Sequence, residues 1–157
     1  MLKNLMSAAV IAGVIGFPAH AQDVSYTKDI APLFKEWCSE CHGADSPQLQ
    51  AFKLEEKKFT KEKTGPRMNS YDELIAFIGW PDTGALMRRL DDGKSVKGGK
   101  PGNMYRHLGS DDAERQKNLA TVKAWVGEGA WNLNRFKARG DVPAITKEQL
   151  DKLKLKY

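Results

Sequence analysis

Apolar residues recur at helical spacings along most of this chain. In "TKDIAPLFKEWCSEC", Ile30, Leu33, Phe34, Trp37, Cys38 and Cys41 return every three or four positions, which places them on one helix face. Pro32 suits the first turn of that helix, where its missing N–H leaves no bond unmade. Ser70 with Glu73 forms a capping pair before Leu74, Ile75, Phe77 and Ile78, a helix that Gly79 and Pro81 stop. Asp82 is placed to cap a shorter helix through Leu86, Met87 and Leu90, ended by Gly93. The strongest pattern is "DDAERQKNLATVKAWVGEGAW". There Asp111 and Glu114 open a helix whose Leu119, Val122 and Val126 share a face beside Trp125. A last small helix starts at Thr146, with Leu150 and Leu153 predicted inward.

Between Gly43 and Pro66 the pattern gives way to polar, lysine-rich sequence such as "LEEKKFTKEKTGP", read as a surface excursion with one short helical turn. Runs of alternating branched residues and internal repeats are absent. The expected fold class is therefore all-α, four or five helices joined by long loops. For 157 residues that is a loop-rich chain, and a large bound cofactor would complete its core.

The first residues change the picture of where the chain works. Lys3, the mostly apolar run from Leu5 to Phe17, and Ala19-His20-Ala21 have the layout of a secretory signal peptide, expected to be cleaved after Ala21. That leaves residues 22–157 as one mature domain, exported and, in a bacterium, periplasmic. The apolar run is short for a bilayer span, and no later segment would serve as one. The formal net charge of +5 comes from interspersed residues rather than a basic block. An exported chain without a basic stripe or stacking motif is a poor candidate for nucleic acid.

The chemistry is concentrated in "EWCSECHG", where the only two cysteines stand three apart with a histidine directly after. A structural zinc site needs four ligands, and adjacent Cys41 and His42 are poorly disposed to close on one ion. A thioredoxin-like redox pair opens a helix after a strand, whereas this pair closes a helix. A plain disulfide is compatible with export but leaves His42 unused. Covalent haem uses all three residues. Cys38 and Cys41 lie on one side of a helical turn, where each sulfur can add to a vinyl group, and His42 is carried to the iron. The expected cofactor is one haem c, with Cys38 and Cys41 as thioether anchors and His42 as proximal ligand.

On these residues the sequence resembles the class I c-type cytochromes. "VSYTKDIAPLFKEWCSECHG" looks like their first helix running into the binding motif. "ALMRRLDDG", a glycine-rich loop with a methionine, and "TVKAWVGEGA" look like their closing half. The resemblance implies a cytochrome c fold in which the first and last helices cross beside the haem, with the distal loop at "GGKPGNMY". The chain departs from the pattern in its charged insertion at about 45–67, in a C-terminal extension from about residue 132, and in lacking a Met-Pro pair.

The sixth ligand is sought among Met68, Met87, Met104 and His107, since methionine opposite histidine is a common electron-transfer pair. Met87 lies in a short apolar helix that suits a core role, and Met68 lies close in sequence to the anchor. Met104, in the glycine-rich loop, is the expected distal ligand on this reading. Phe34, Trp37, Trp125 and Trp131 are expected to pack core or porphyrin. Tyr71, Trp80, Arg67 and Arg106 are undifferentiated candidates for the propionates. No acid, base or nucleophile constellation is evident, so the expected function is a one-electron carrier and not an enzyme. Its partners would be a redox donor and acceptor, with transient docking through a lysine-rich surface. The alternatives are a haem protein with an open or displaceable sixth site, and a haem subunit of a larger redox complex.

Overall fold

The computed structural model describes residues 23–94, 99–133 and 145–157. The proposed signal peptide therefore lies outside the described residues. The helices are α1 (Ala31–Trp37), α2 (Ser39–His42), α3 (Leu49–Leu54), α4 (Glu56–Lys61), α5 (Tyr71–Ile75), α6 (Ala85–Leu90), α7 (Asp112–Val126) and α8 (Lys147–Asp151). No strand occurs among the described residues, so the chain is all-α.

The opening helix is less regular than its spacing predicts. It begins as a wide π turn over Tyr26–Ile30, where the Ser25 hydroxyl accepts the Lys28 N–H and Asp29 takes the Ser25 N–H at 2.8 Å. Pro32 falls in the first turn of α1, as expected. The helix then breaks at Cys38 (φ −121°, ψ −17°) instead of running on to Cys41. The N–H groups of Cys41 and His42 both return to the Cys38 carbonyl, at 3.3 and 2.9 Å, so the motif stays on one tight turn despite the break.

Two other helix starts separate expectation from outcome. Asp111 caps α7 as predicted, accepting the Glu114 N–H at 2.8 Å, while the Glu114 carboxylate takes the Ser110 N–H at 2.8 Å. Asp82 does not cap α6 with its side chain. Gly84 holds that position at φ +69°, while Asp82 gives its carbonyl to the Ala85 N–H and its carboxylate to an ion pair with Arg88 at 3.6 Å. A β-carbon at Gly84 would press on the Asn132 carbonyl at 2.7 Å, so the close approach and the left-handed backbone both call for glycine.

Ile30, Leu74, Ile78, Val122, Trp125 and Val126 are fully buried and form the centre of the core. The tail closes one end of it. Leu155 N–H bonds the Trp125 carbonyl at 2.9 Å, and the Lys156 carbonyl accepts both the Tyr26 N–H at 2.7 Å and the Trp125 Nε1–H at 2.9 Å. These bonds tie the first residues to the end of α7, bringing the start and finish of the domain together. Thr146 and Gln149 form a reciprocal capping box on α8. Leu150, predicted inward, is instead 54% exposed; five residues give α8 too short a face, and Leu153 and Leu155 do the packing.

The charged insertion folds more than its composition suggests. It makes two short helices, α3 and α4, hinged at Glu55, with the Phe52 and Phe59 rings stacked across the hinge at 6.0 Å. Those two aromatics, seven apart in a polar run, were the overlooked signal.

Candidate functional site

His42 is oriented by the segment that returns from the α3–α4 hairpin. Its Nδ1 lies 2.6 Å from the carbonyl of Pro66. A proline carbonyl can only accept, so Nδ1 carries the proton and Nε2 is left as a bare lone pair. Two backbone bonds hold this segment against the motif, Gly65 N–H to Cys41 O at 2.7 Å and Met68 N–H to His42 O at 3.0 Å, and Arg67 N–H to Pro47 O at 2.8 Å ties it to the chain just beyond. Gly65 lies so close that a β-carbon there would stand 2.1 Å from Cε1 of the imidazole ring. Burial pushes the His42 imidazole below its usual range against the Pro66 bond, and Arg89 and His107 push the same way. The ring is thus a neutral, orientated donor of the kind iron requires.

Cys38 and Cys41 form no disulfide, and both are partly buried on the turn before His42. Burial pushes the Cys38 thiol up to about 12, with Cys41 adding to the rise. A dithiol redox centre needs the opposite, a lowered pKa on its attacking sulfur. Among the described residues no three or more His, Cys, Asp or Glu side chains converge on a metal-ion position. The donor set fits a haem: two sulfurs on one turn, a preset histidine beside them, and an apolar core against which Cys38 packs.

The other candidates separate by surroundings. Met87 is 1% exposed and its sulfur accepts the Asn132 N–H at 2.8 Å. Met68 is buried on the segment that supports His42 from its own side. His107 is exposed, with Nε2 accepting from Arg106 Nε at 3.0 Å. Met104 is partly buried against the core, and its N–H bonds the Arg89 carbonyl at 3.0 Å. Its loop is tied down by Gln116 of α7, whose Nε2 donates to the Tyr105 hydroxyl at 2.7 Å and to Asp92 at 3.1 Å. Sequence reading passed over Gln116, and a lone polar residue in the polar first half of α7 carries no signal of such a role.

The aromatic expectations divide. Trp125 is fully buried and Phe34 nearly so. Trp131 is partly buried and donates Nε1–H to the buried carboxylate of Asp91 at 3.3 Å. Of the propionate candidates, Tyr71 donates its hydroxyl to Leu155 O at 2.8 Å, Arg67 donates to Asn69 at 2.9 Å, and Trp80 is 76% exposed.

An all-helical chain with two cysteines on one turn, followed by a histidine whose Nε2 is bare, is a c-type cytochrome, a protein of haem-based electron transfer. Comparison with known proteins narrows the class. The profile of the PccH cytochrome c family matches residues 25–157. The solved structure of monohaem cytochrome PccH from Geobacter sulfurreducens shares 52% identity, with 85% of this chain and 98% of that chain covered and a TM-score of 0.73. No curated protein matches. The chain belongs to the PccH cytochrome c family and carries one covalently bound haem c.

Proposed function

We propose that this protein is an exported one-electron carrier, its iron held by His42 on one side and Met104 on the other, with Cys38 and Cys41 as the thioether anchors. The observation that carries the reading is the His42 Nδ1–H to Pro66 bond, which leaves Nε2 as the donor in a c-type motif. When bound, the haem supplies a metal that takes and gives one electron. The residues provide its attachment, its axial donors and a dry core, and no general acid, base or nucleophile is needed. Hence it is not an enzyme on this reading.

Three observations favour Met104 as the sixth ligand. The Met87 sulfur is already engaged by a backbone N–H. Met68 belongs to the segment backing His42. Arg89, which holds the Met104 backbone, is close enough to act electrostatically on His42, as is His107 three residues beyond Met104. Methionine ligation with a tied loop favours the carrier over an open sixth site. Residues 22–157 would act as a single haem domain in the periplasm, since c-type haem is attached after export. No helix among the described residues is long and apolar enough to cross a membrane.

The deciding experiment is Met104→Ala. The haem should remain attached, while the weak long-wavelength absorption band of methionine–iron bonding disappears from the oxidised protein. An unaltered spectrum would overturn Met104 as ligand.

A further inference from the structure

The loop that carries Met104 ends in a short 3-10 turn over Tyr105–His107. The His107 N–H bonds the Met104 carbonyl at 3.0 Å, and the Leu108 N–H bonds the Tyr105 carbonyl at 3.1 Å, each three residues back. With three residues per turn, side chains at i and i+3 stand over one another. His107 therefore lies on the side of the turn from which Met104 projects. The two residues are not held alike. Leu108, directly after His107, is fully buried, and its carbonyl takes the Asn118 Nδ2–H of α7 at 2.6 Å. Met104 lies at the other end of the turn, where its place depends on the Arg89 carbonyl and, through Tyr105, on Gln116. A loop that loosens there loses Met104 first and keeps His107 beside its anchor.

His107 is the one histidine besides His42 among the described residues. Its Nε2 accepts from Arg106 Nε at 3.0 Å, so this nitrogen carries a lone pair, as His42 Nε2 does. A bond between adjacent exposed side chains exchanges readily with water and leaves that lone pair available. His107 is also near enough to act electrostatically on the His42 ring. We infer that His107 is a reserve axial ligand, whose Nε2 takes the iron position opposite His42 when Met104 leaves it. The inference rests on the Met104 reading and adds a second state of the same site. Paired imidazoles keep the iron six-coordinate and low-spin, at a lower potential than a methionine partner gives. The loosened protein thus remains a carrier, with no position open to a small ligand.

The test follows the oxidised holoprotein by absorption and electron paramagnetic resonance, with sodium azide as the probe of an open position. Met104→Ala should lose the methionine band yet stay low-spin. Met104→Ala/His107→Ala should turn high-spin and bind azide about tenfold more tightly, since no side chain then competes for the iron. Met104→Leu, alone and with His107→Ala, repeats the comparison with the side-chain volume nearly kept, which separates a packing defect from ligand loss. His107→Ala alone should keep the methionine band. High-spin iron in both single Met104 variants would overturn the inference, as would equal azide affinity in single and double variants. So would low-spin iron in both double variants, which gives the position to another side chain. In each of these cases the lost band still leaves Met104 as the ordinary ligand. A band retained in Met104→Ala would instead defeat the Met104 reading itself, and the reserve role with it.

Discussion

On the His42 side of the site, the chemistry sits within one turn and its return segment. Cys38, Cys41 and His42 share a turn, and Pro66 completes it through a 2.6 Å bond to the ring. The side carrying Met104 is assembled from distant pieces. Arg89 of α6 holds the Met104 N–H, the Asp91 carbonyl takes the Gly102 N–H at 2.8 Å, and Gln116 of α7 grips Tyr105 and Asp92. Only the bonds within the Cys38–His42 turn close short loops, whereas the Pro66 bond to His42 spans 24 residues, as the Gln116 bond to Asp92 does. Bonds on the second side form only once α6 and α7 are in place. The Cys38–His42 turn should therefore tolerate loosening of the fold, and the Met104 loop should be the first to fail.

The largest break in this comparison comes from removing an anchor. Cys38→Ala should abolish the two-link haem product, leaving at most a single thioether, as mass spectrometry of the exported protein would report; stable two-bond haem in that variant contradicts the assignment. Gly65→Ala comes next, because its methyl group must displace the His42 ring. Overpacking of this kind costs about 1–3 kcal/mol, and here it should also disturb the Pro66 bond and shift the low-spin spectrum. A variant with unchanged melting temperature and spectrum would show that the ring is not so tightly backed.

Gln116→Leu sharpens the other side. Loss of its bonds to Tyr105 and Asp92 should cost about 1 kcal/mol in denaturant melts. The methionine–iron band should fade at lower denaturant than global unfolding while haem attachment is untouched. Coincident transitions would mean that the loop is no weaker than the rest.

The smallest effect is a pH dependence at Asp92. Burial alone would raise this carboxyl, but bonds from Gln116 and from the Lys94 side chain and N–H outweigh it and hold it at about 2, below its ordinary 3.8. A depressed native pKa means that the unfolded chain takes up the proton first. The contribution is thus present above pH 3.8 and lost as pH falls toward 2. It amounts to about 2 kcal/mol at most. Asp92→Asn should flatten that part of the acid-stability profile, and an identical profile would remove Asp92 from the account.

Much of the molecule was legible along the chain because its signals are local. Helical periodicity located α1, α5, α6 and α7, and Asp111 and Thr146 marked their helix starts through side chains that reach only three residues ahead. The proposed haem anchor, Cys38, Cys41 and His42, reads from the sequence for the same reason, since its three residues share one turn. The misreadings share a cause as well. Asp82 lost the cap of α6 to Gly84 because Asn132, far away in sequence, lies against that turn. Leu150 stayed outside because Leu153 and Leu155 reach the core through the strap that follows. The charged insertion became two helices because Phe52 and Phe59 stack.

The sequence by itself determined the helical class and the covalent haem, and it proposed Cys38, Cys41 and His42 to hold that haem, since spacing on a single turn is decided by backbone geometry alone. Tertiary structure decided which nitrogen of His42 is bare, how the Met104 loop is held, and that the tail straps Tyr26 to Trp125. Each of these depends on a carbonyl, an amide or a hydroxyl brought in from elsewhere in the chain. Such groups are common to nearly every residue, so no residue pattern marks the partner until folding has chosen it.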